Sequence, residues 1–587
     1  MVEHSFASAV FRRLLRLALA IPAFTLVAAA FLDQGPSGEP RVSIFPLVLT
    51  ALDPFTWTCV RNSLIFAGVN TFAAVILGGS LGWLIGRRPS WLGSLARAGV
   101  TSVLAVIPAF VALGIIGLCG RPGAWPWPFL AVAPAQAGPS LESSSGLGLW
   151  LVWSWSSLPA AIAMIALEAA AAVERLQPSW VDAARLAGIA PWRTWRGLNW
   201  PLVRPRIART ASIIFALSLV EPGAPLVLGL RRTIAFQIVE SASRAADFPR
   251  TAIWCVFAAA IAWAGAFAFS WWGRQVVREG AGDPLAKSPV EPNRQRGSKA
   301  GATAAILIVT MLLAAAWLPV AGLARLALAG LPATSSPARV GSIRGLSIVA
   351  AQLVSPEFLG PAWNSLILGL EVGLGVMLVR GLTGALRTNG RGSQWIARQP
   401  LTLGVGLLAV PWLLALSSQA LSPNGGVARS LAEAGRWLSA DRDPWILLTL
   451  AVGMTLLATG SAMADAGEPL GAPASPSGFE IARLVGFSRL RSRWLGHGGS
   501  WLRWFSQFLA TAGFAANNLA PALLIASWTD GQTLAVRAVA LAGDSPAVPA
   551  PVTALVLTAV AVNLAAFALP HGLRGPHAET SRSRILG

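Results

Sequence analysis

Twelve apolar stretches constrain this chain more than any other feature. They lie near 11–32, 62–86, 98–119, 147–173, 209–230, 251–273, 303–323, 363–386, 399–418, 444–464, 504–527 and 551–569. At about 1.5 Å per helical residue, each can cross the roughly 30 Å hydrocarbon core of a bilayer. Inside a bilayer a backbone must satisfy its own polar groups, so such stretches predict helices and an all-α integral membrane protein. Only 12% of the 587 residues are charged, about half the roughly 25% of a soluble domain. The run after Phe11-Arg12-Arg13 resembles a cleavable signal but continues to Leu32, long enough to be the first span.

The net charge of +20 could suit a nucleic-acid partner, but the basic residues fall in short clusters between apolar runs. That pattern points to topology, with the lipid bilayer as partner and no nucleic acid. With a cytoplasmic N-terminus, the inner loops carry Arg87, Arg88 and Arg97, then Arg185, Arg193 and Arg196, and so on through Arg582 and Arg584. Both termini are then expected in the cytoplasm. One outer loop, with Arg231, Arg232, Arg244 and Arg250, runs against this rule, since Glu240 and Asp247 only partly offset it. The 26 tryptophans suit anchoring at span ends. Cys59, Cys119 and Cys255 lack metal-ligand spacing and read as small packing residues.

A polar segment, 279–301, divides the chain into two halves of six spans, 1–278 and 302–587. Three motifs recur in order. Asn62-Ser63-Leu64 returns as Asn364-Ser365-Leu366, Asp182 to Gly188 returns as Glu480 to Gly486, and Ala224-Pro225 returns as Ala520-Pro521. The offsets of 302, 298 and 296 drift one way, as a single alignment with small deletions would. An even number of spans per half implies a parallel repeat.

Between the fourth and fifth spans, residues 178–201 form a basic segment with Asp182-Ala183-Ala184, then Gly188, then Pro201. Val181 to Ala187 can make about two helical turns, Gly188 can end them in a left-handed conformation, and Trp192 to Trp200 can begin a second short helix. The segment resembles the "EAA" loop of binding-protein-dependent ABC transporter permeases. Asp182 stands for the family's Glu, Gly188 and Pro201 keep its spacing, and Leu198 and Trp200 stand for Ile and Leu. The second copy, 479–499, keeps Glu480, Ala482 and Gly486, but Ile481 replaces the first Ala and Gly499 stands where the family has Pro.

The resemblance implies two six-helix repeats of the ABC importer permease type in a bacterial inner membrane. It also implies that the loops around Asp182 and Glu480 dock on a dimer of ATP-binding subunits, with Pro201 setting the bend into the fifth span. The chain has no Gly-x-x-x-x-Gly-Lys-Ser/Thr loop. ATP and magnesium are therefore expected in the partner and no cofactor in this chain. A separate extracytoplasmic binding protein would deliver the cargo. The fused two-domain layout, Ile107 to Val111 and Gly223 to Gly229 look most like the ferric-iron importers, with thiamine importers close behind.

Within the spans, Glu221 precedes Pro222, Gly223 and Pro225, a composition that breaks a helix and exposes backbone. Two readings stay open for it: a pathway-lining or gating residue, or a structural carboxyl bonded to neighbouring groups. Asn517 is its counterpart at an offset of 296. Asn62 and Asn364 read as makers of interhelical hydrogen bonds. The four histidines, in tails and loops, make no metal site, and no set of residues is organised for nucleophilic catalysis. An ATP-independent secondary transporter is the alternative from another class, and it should show more intramembrane ion sites.

Overall fold

Within its described residues, the computed structural model is built from long apolar helices over several of the expected stretches. It describes residues 30–34, 40–87, 91–119, 146–174, 182–184, 186–243, 248–274, 299–328, 353–385, 532–544 and 549–572, with a few single positions beside these. The expected spans at 399–418 and 444–464, most of those at 11–32 and 504–527, and the second loop at 479–499 lie outside the described residues. A small hairpin pairs β1 (Leu32–Gln34) with β2 (Pro40–Val42). The rest of the described secondary structure is helical: α1 (Phe45–Leu52), α2 (Pro54–Gly86), α3 (Trp91–Val103), α4 (Pro108–Cys119) and α5 (Gly146–Glu174) come first. They are followed by α6 (Pro191–Thr194), α7 (Trp200–Val220), α8 (Gly223–Leu228), α9 (Ile234–Ser243) and α10 (Phe248–Arg274). Then come α11 (Lys299–Leu328), α12 (Pro356–Ala385), α13 (Leu534–Asp544) and α14 (Pro549–Gly572).

Five of these helices are long and apolar enough to cross a membrane, or six if the bent pair α3 and α4 counts as one span. That pair covers the expected stretch at 98–119 with a bend of 77° between its two arms. Pro108 offers no N–H and disfavours helical geometry at Ile107. The preceding turn tightens to three-residue spacing, with Leu104 N–H bonded to Thr101 C=O and Val106 N–H to Val103 C=O.

Glycines set how closely the helices approach. On α2, Gly78, Gly82 and Gly86 repeat every four residues on one face and meet the alanine-rich face of α5 at Ile165, Ala166, Ala169 and Ala170. A Cβ on Gly82 would sit 2.4 Å from the Ala166 carbonyl oxygen. Between apolar helices in lipid, such close packing is a main attraction. Another face of α2, with Val69, Phe72 and Ile76, is exposed. Helix α11 packs the same way on α4: a Cβ at Gly114 would fall 2.3 Å from the Pro319 backbone, and one at Gly322 would fall 2.2 Å from Leu118. Trp155 Nε1 on α5 donates to the Ala315 carbonyl of α11 at 2.9 Å, and Thr553 Oγ1 of α14 donates to Leu323 at 3.1 Å. At the end of the bundle that carries residues 182–201, here called the loop end, Arg97 of α3 pairs with Glu174 of α5.

This packing separates two substitutions on one helix. Gly82→Val should destabilise the chain by about 3 kcal/mol through overpacking. Gly68→Ala, where nothing lies within 4 Å of the added carbon, should be neutral or stabilising by up to about 1 kcal/mol. Thermal unfolding in detergent, followed by size exclusion, measures both.

Candidate functional site

At the loop end, Asp182, Ala183 and Ala184 are helical, the first two exposed and the third half-buried. The helix stops where Gly188 takes φ +68°. Ile189 N–H then bonds back to Ala184 C=O at 2.9 Å, the six-to-one closure typical of a glycine-ended helix. Among the described residues, nothing beyond its own chain neighbours lies within 4 Å of where a Cβ of Gly188 would be, and its backbone conformation calls for glycine there. Around this stop the chain presents apolar groups to solvent: Leu186 is 91% exposed, Trp192 64% and Ile189 43%.

Helical structure resumes at Pro191 and passes through a π turn, Trp195–Asn199, into α7. Trp200 N–H closes that turn on Trp195 C=O. Pro201 sits in the first turn of α7, and Thr194, Asn199 and Trp200 all hold right-handed helical geometry. The chain therefore widens ahead of Pro201 where a bend was expected. The widened turn contains Gly197, whose carbonyl the proline ring would crowd in a regular helix.

Five tryptophans join this segment to the bundle, a linkage the sequence did not reveal. Trp192 stacks on Trp195 with centroids 5.1 Å apart, and Trp195 stacks on Trp200 at 5.5 Å. Trp195 also meets Trp83 of α2 edge-on at 6.5 Å, and Trp200 meets Trp272 of α10 at 6.0 Å. Arg87 caps one end of the ladder, 4.6 Å over Trp83, and Arg204 the other, 4.9 Å over Trp272. Each ring contact contributes about 1 kcal/mol beyond burial. The loop is thus tied to the ends of two long helices besides its own. Tryptophans near span ends suggested interfacial anchoring, and only the fold reveals that they touch.

The other candidate, Glu221, lies about 30 Å along α7 from Pro201, at 1.5 Å per residue, so the two do not form one site. Helix α7 ends at Val220, Glu221 is extended (φ −66°, ψ 111°), and Pro222 precedes α8. The half-buried carboxylate accepts hydrogen bonds from Gly223 N–H at 2.9 Å and Ala224 N–H at 3.4 Å. It satisfies amides freed by the break, and nearby Asn70 of α2 bonds Ser218 of α7 at 2.8 Å. Gly229, at φ +66°, ends α8 with Leu230 N–H bonded to Pro225 C=O, the closure seen at Gly188. Glu480, Ala482, Gly486 and Asn517 lie outside the described residues. Among the described residues, no group of three His, Cys, Asp or Glu could hold a metal.

Beyond the break, the Asn-Ser pairs make matching contacts. Asn62 Nδ2 donates to Arg232 C=O at 3.1 Å, and Asn364 Nδ2 donates to Gln532 C=O at 3.1 Å. Ser63 Oγ accepts from Ile234 N–H at 2.9 Å, and Ser365 Oγ accepts from Leu534 N–H at 2.9 Å. Thr233 and Thr533 each receive an N–H three residues on, from Phe236 and Val536. The asparagines were expected to bond between helices, but each one's partner is a backbone carbonyl just ahead of α9 or α13. Residues 61–70 and 363–372 are buried, half-buried or exposed alike except at 65/367 and 68/370.

Because Gly188 is held by its dihedral angle and not by its neighbours, substitutions there should sort by backbone preference. Gly188→Ala should destabilise the helix stop by about 1–2 kcal/mol, and Gly188→Asn by less. Hydrogen exchange over residues 182–190 in the intact chain reads the difference. No protein-family model, curated protein or solved structure matches this chain.

Proposed function

We propose that this chain is the membrane-spanning permease subunit of an ATP-driven importer of the binding-protein-dependent ABC type. Twelve spans in two six-helix repeats form the path, with the loop end and both termini on the cytoplasmic side of a bacterial inner membrane. A small substrate arrives on an extracytoplasmic binding protein, with ferric iron the first cargo to assay and thiamine the second. The observation that carries the reading is the glycine-ended helix at 182–188. It bears exposed Leu186, Ile189 and Trp192 beside Asp182 and is fastened to the bundle by the tryptophan ladder.

In this mechanism an ATP-binding dimer grips the 182–188 helix. ATP and magnesium bind in that partner and close it, and the loop moves with it as a lever. The ladder passes the displacement to α2 and α10 as well as to α7. Packed helices have discrete arrangements, so a small shift at the loop becomes a change between inward-facing and outward-facing states. Glu221 holds the break in α7 together by bonding its two freed amides. The matched latches at 62–63 and 364–365 support the two-half layout, because corresponding side chains make corresponding bonds.

A photo-crosslinking residue at Leu186, in cells expressing the full chain, should capture an ATP-binding subunit. Asp182→Lys and Gly188→Pro should weaken the capture by about tenfold, equivalent to roughly 1.4 kcal/mol of docking. Uptake of ferric iron or thiamine should fall in proportion while the amount of chain in the membrane stays constant. If Leu186 captures no ATP-binding subunit and uptake follows an ion gradient without ATP, the secondary-transporter reading replaces this one.

A further inference from the structure

We propose that α9 and α13 are twin gate helices, each latched to its half by an Asn-Ser pair, which together close the path at the end away from the loop. The inference rests on the transport part of the function proposed above and not on its ATPase part.

Helices α9 and α13 begin within apolar surroundings: Ile234, Ala235, Leu534 and Ala535 are all at most 2% exposed. A helix start leaves amides without intrahelical partners, which is costly in such surroundings. The latch satisfies the first of them with a serine hydroxyl, and the asparagine amide takes the carbonyl two residues earlier. Both partners come from the long helix that opens beside it, α2 or α12. Each gate helix is therefore fixed to that long helix by two bonds that bracket one threonine.

A comparison of the two copies shows which features matter. The residues that act through side chains are identical: Asn62 and Asn364, Ser63 and Ser365, Thr233 and Thr533. Residues that lend only backbone groups differ, Arg232 against Gln532 and Ile234 against Leu534. The device has kept its chemistry while its surroundings have diverged.

Its placement is that of a closure. Helix α8, the short piece after the break in α7, contacts both α9 and α13. Ala224 of α8 is fully buried, within the same apolar cluster as Ile234, Leu534, Ala535 and Ala538. The two latched helices thus meet around α8. The Glu221 break and the left-handed Gly229 separate α8 and α9 from the long lever α7. A tilt of α7 can then change the seat of α8 without dragging α9 from α2.

The test uses the full chain in liposomes, with its three native cysteines replaced by alanine and Ala224→Cys as reporter. An impermeant maleimide is added to one face at a time, and hydrogen exchange is followed at 231–243 and 531–544. With the latches intact the reporter should be shielded from both faces. Ser63→Ala with Ser365→Ala should speed exchange at the Ile234 and Leu534 amides by about tenfold, and open the reporter to maleimide only from the face opposite the loop. Asn62→Ala with Asn364→Ala, at half-buried positions that leave the core untouched, should act in the same direction. Faster exchange with a reporter that stays shielded would overturn the gate and leave the pairs as helix caps. Unchanged exchange, labelling from the loop face, or a reporter already reactive in the latched chain would overturn it as well. No ATPase is present, so this result is independent of the Leu186 crosslink.

Discussion

Every break in an apolar helix exposes amides and carbonyls that hydrocarbon cannot satisfy, and this fold depends on how it answers that cost. Four answers recur. Glu221 bends its carboxylate onto the two amides that follow the end of α7. Gly229 turns left-handed at the end of α8 so that the next amide reaches back five residues. A π turn keeps the chain bonded ahead of Pro201. Asn-Ser pairs borrowed from neighbouring helices cover the starts of α9 and α13. Regular spans need none of these devices, so each marks a place where the chain departs from a simple bundle.

Close packing provides the frame that holds those departures. Gly78, Gly82 and Gly86 bring α2 against α5, while Gly114 and Gly322 bring α4 against α11. The first contact holds α5 against α2, the helix that carries both the ladder's Trp83 and the latch's Asn62. The second joins helices on either side of the polar 279–301 segment. The loop at 182–190 and the short helix α8 each contain or end on a left-handed glycine.

Much of this was legible in the sequence, and the rest was hidden for physical reasons. Long apolar runs announced the helices, and Gly188 announced the helix stop, because both signals are local. Pro108 carried the information that its span would bend, but an unbroken apolar run hid it from a reading by length alone. The Asn-Ser repeat was visible, whereas its partners were not. Backbone carbonyls and amides have no sequence signature, and they lie about 170 residues away. The tryptophan ladder drew on α2, the loop and α10, and nothing in the spacing of residues 83, 195 and 272 relates them. For Glu221 the sequence left two roles open, and the geometry shows its carboxylate already bonded to its own backbone.

The π turn at 195–199 also controls helical phase. In a regular α-helix, residues five apart point about 140° away from each other, at 100° per residue. Trp195 and Trp200 are five apart, yet their rings lie within 25° of parallel at 5.5 Å. The one-residue excess of the π turn brings them onto a common side. The aromatic stack thus acts as a register mark between the loop helix and the span it feeds. Sliding that turn along the chain would rotate the loop's apolar face against the bundle while leaving every residue of the loop unchanged.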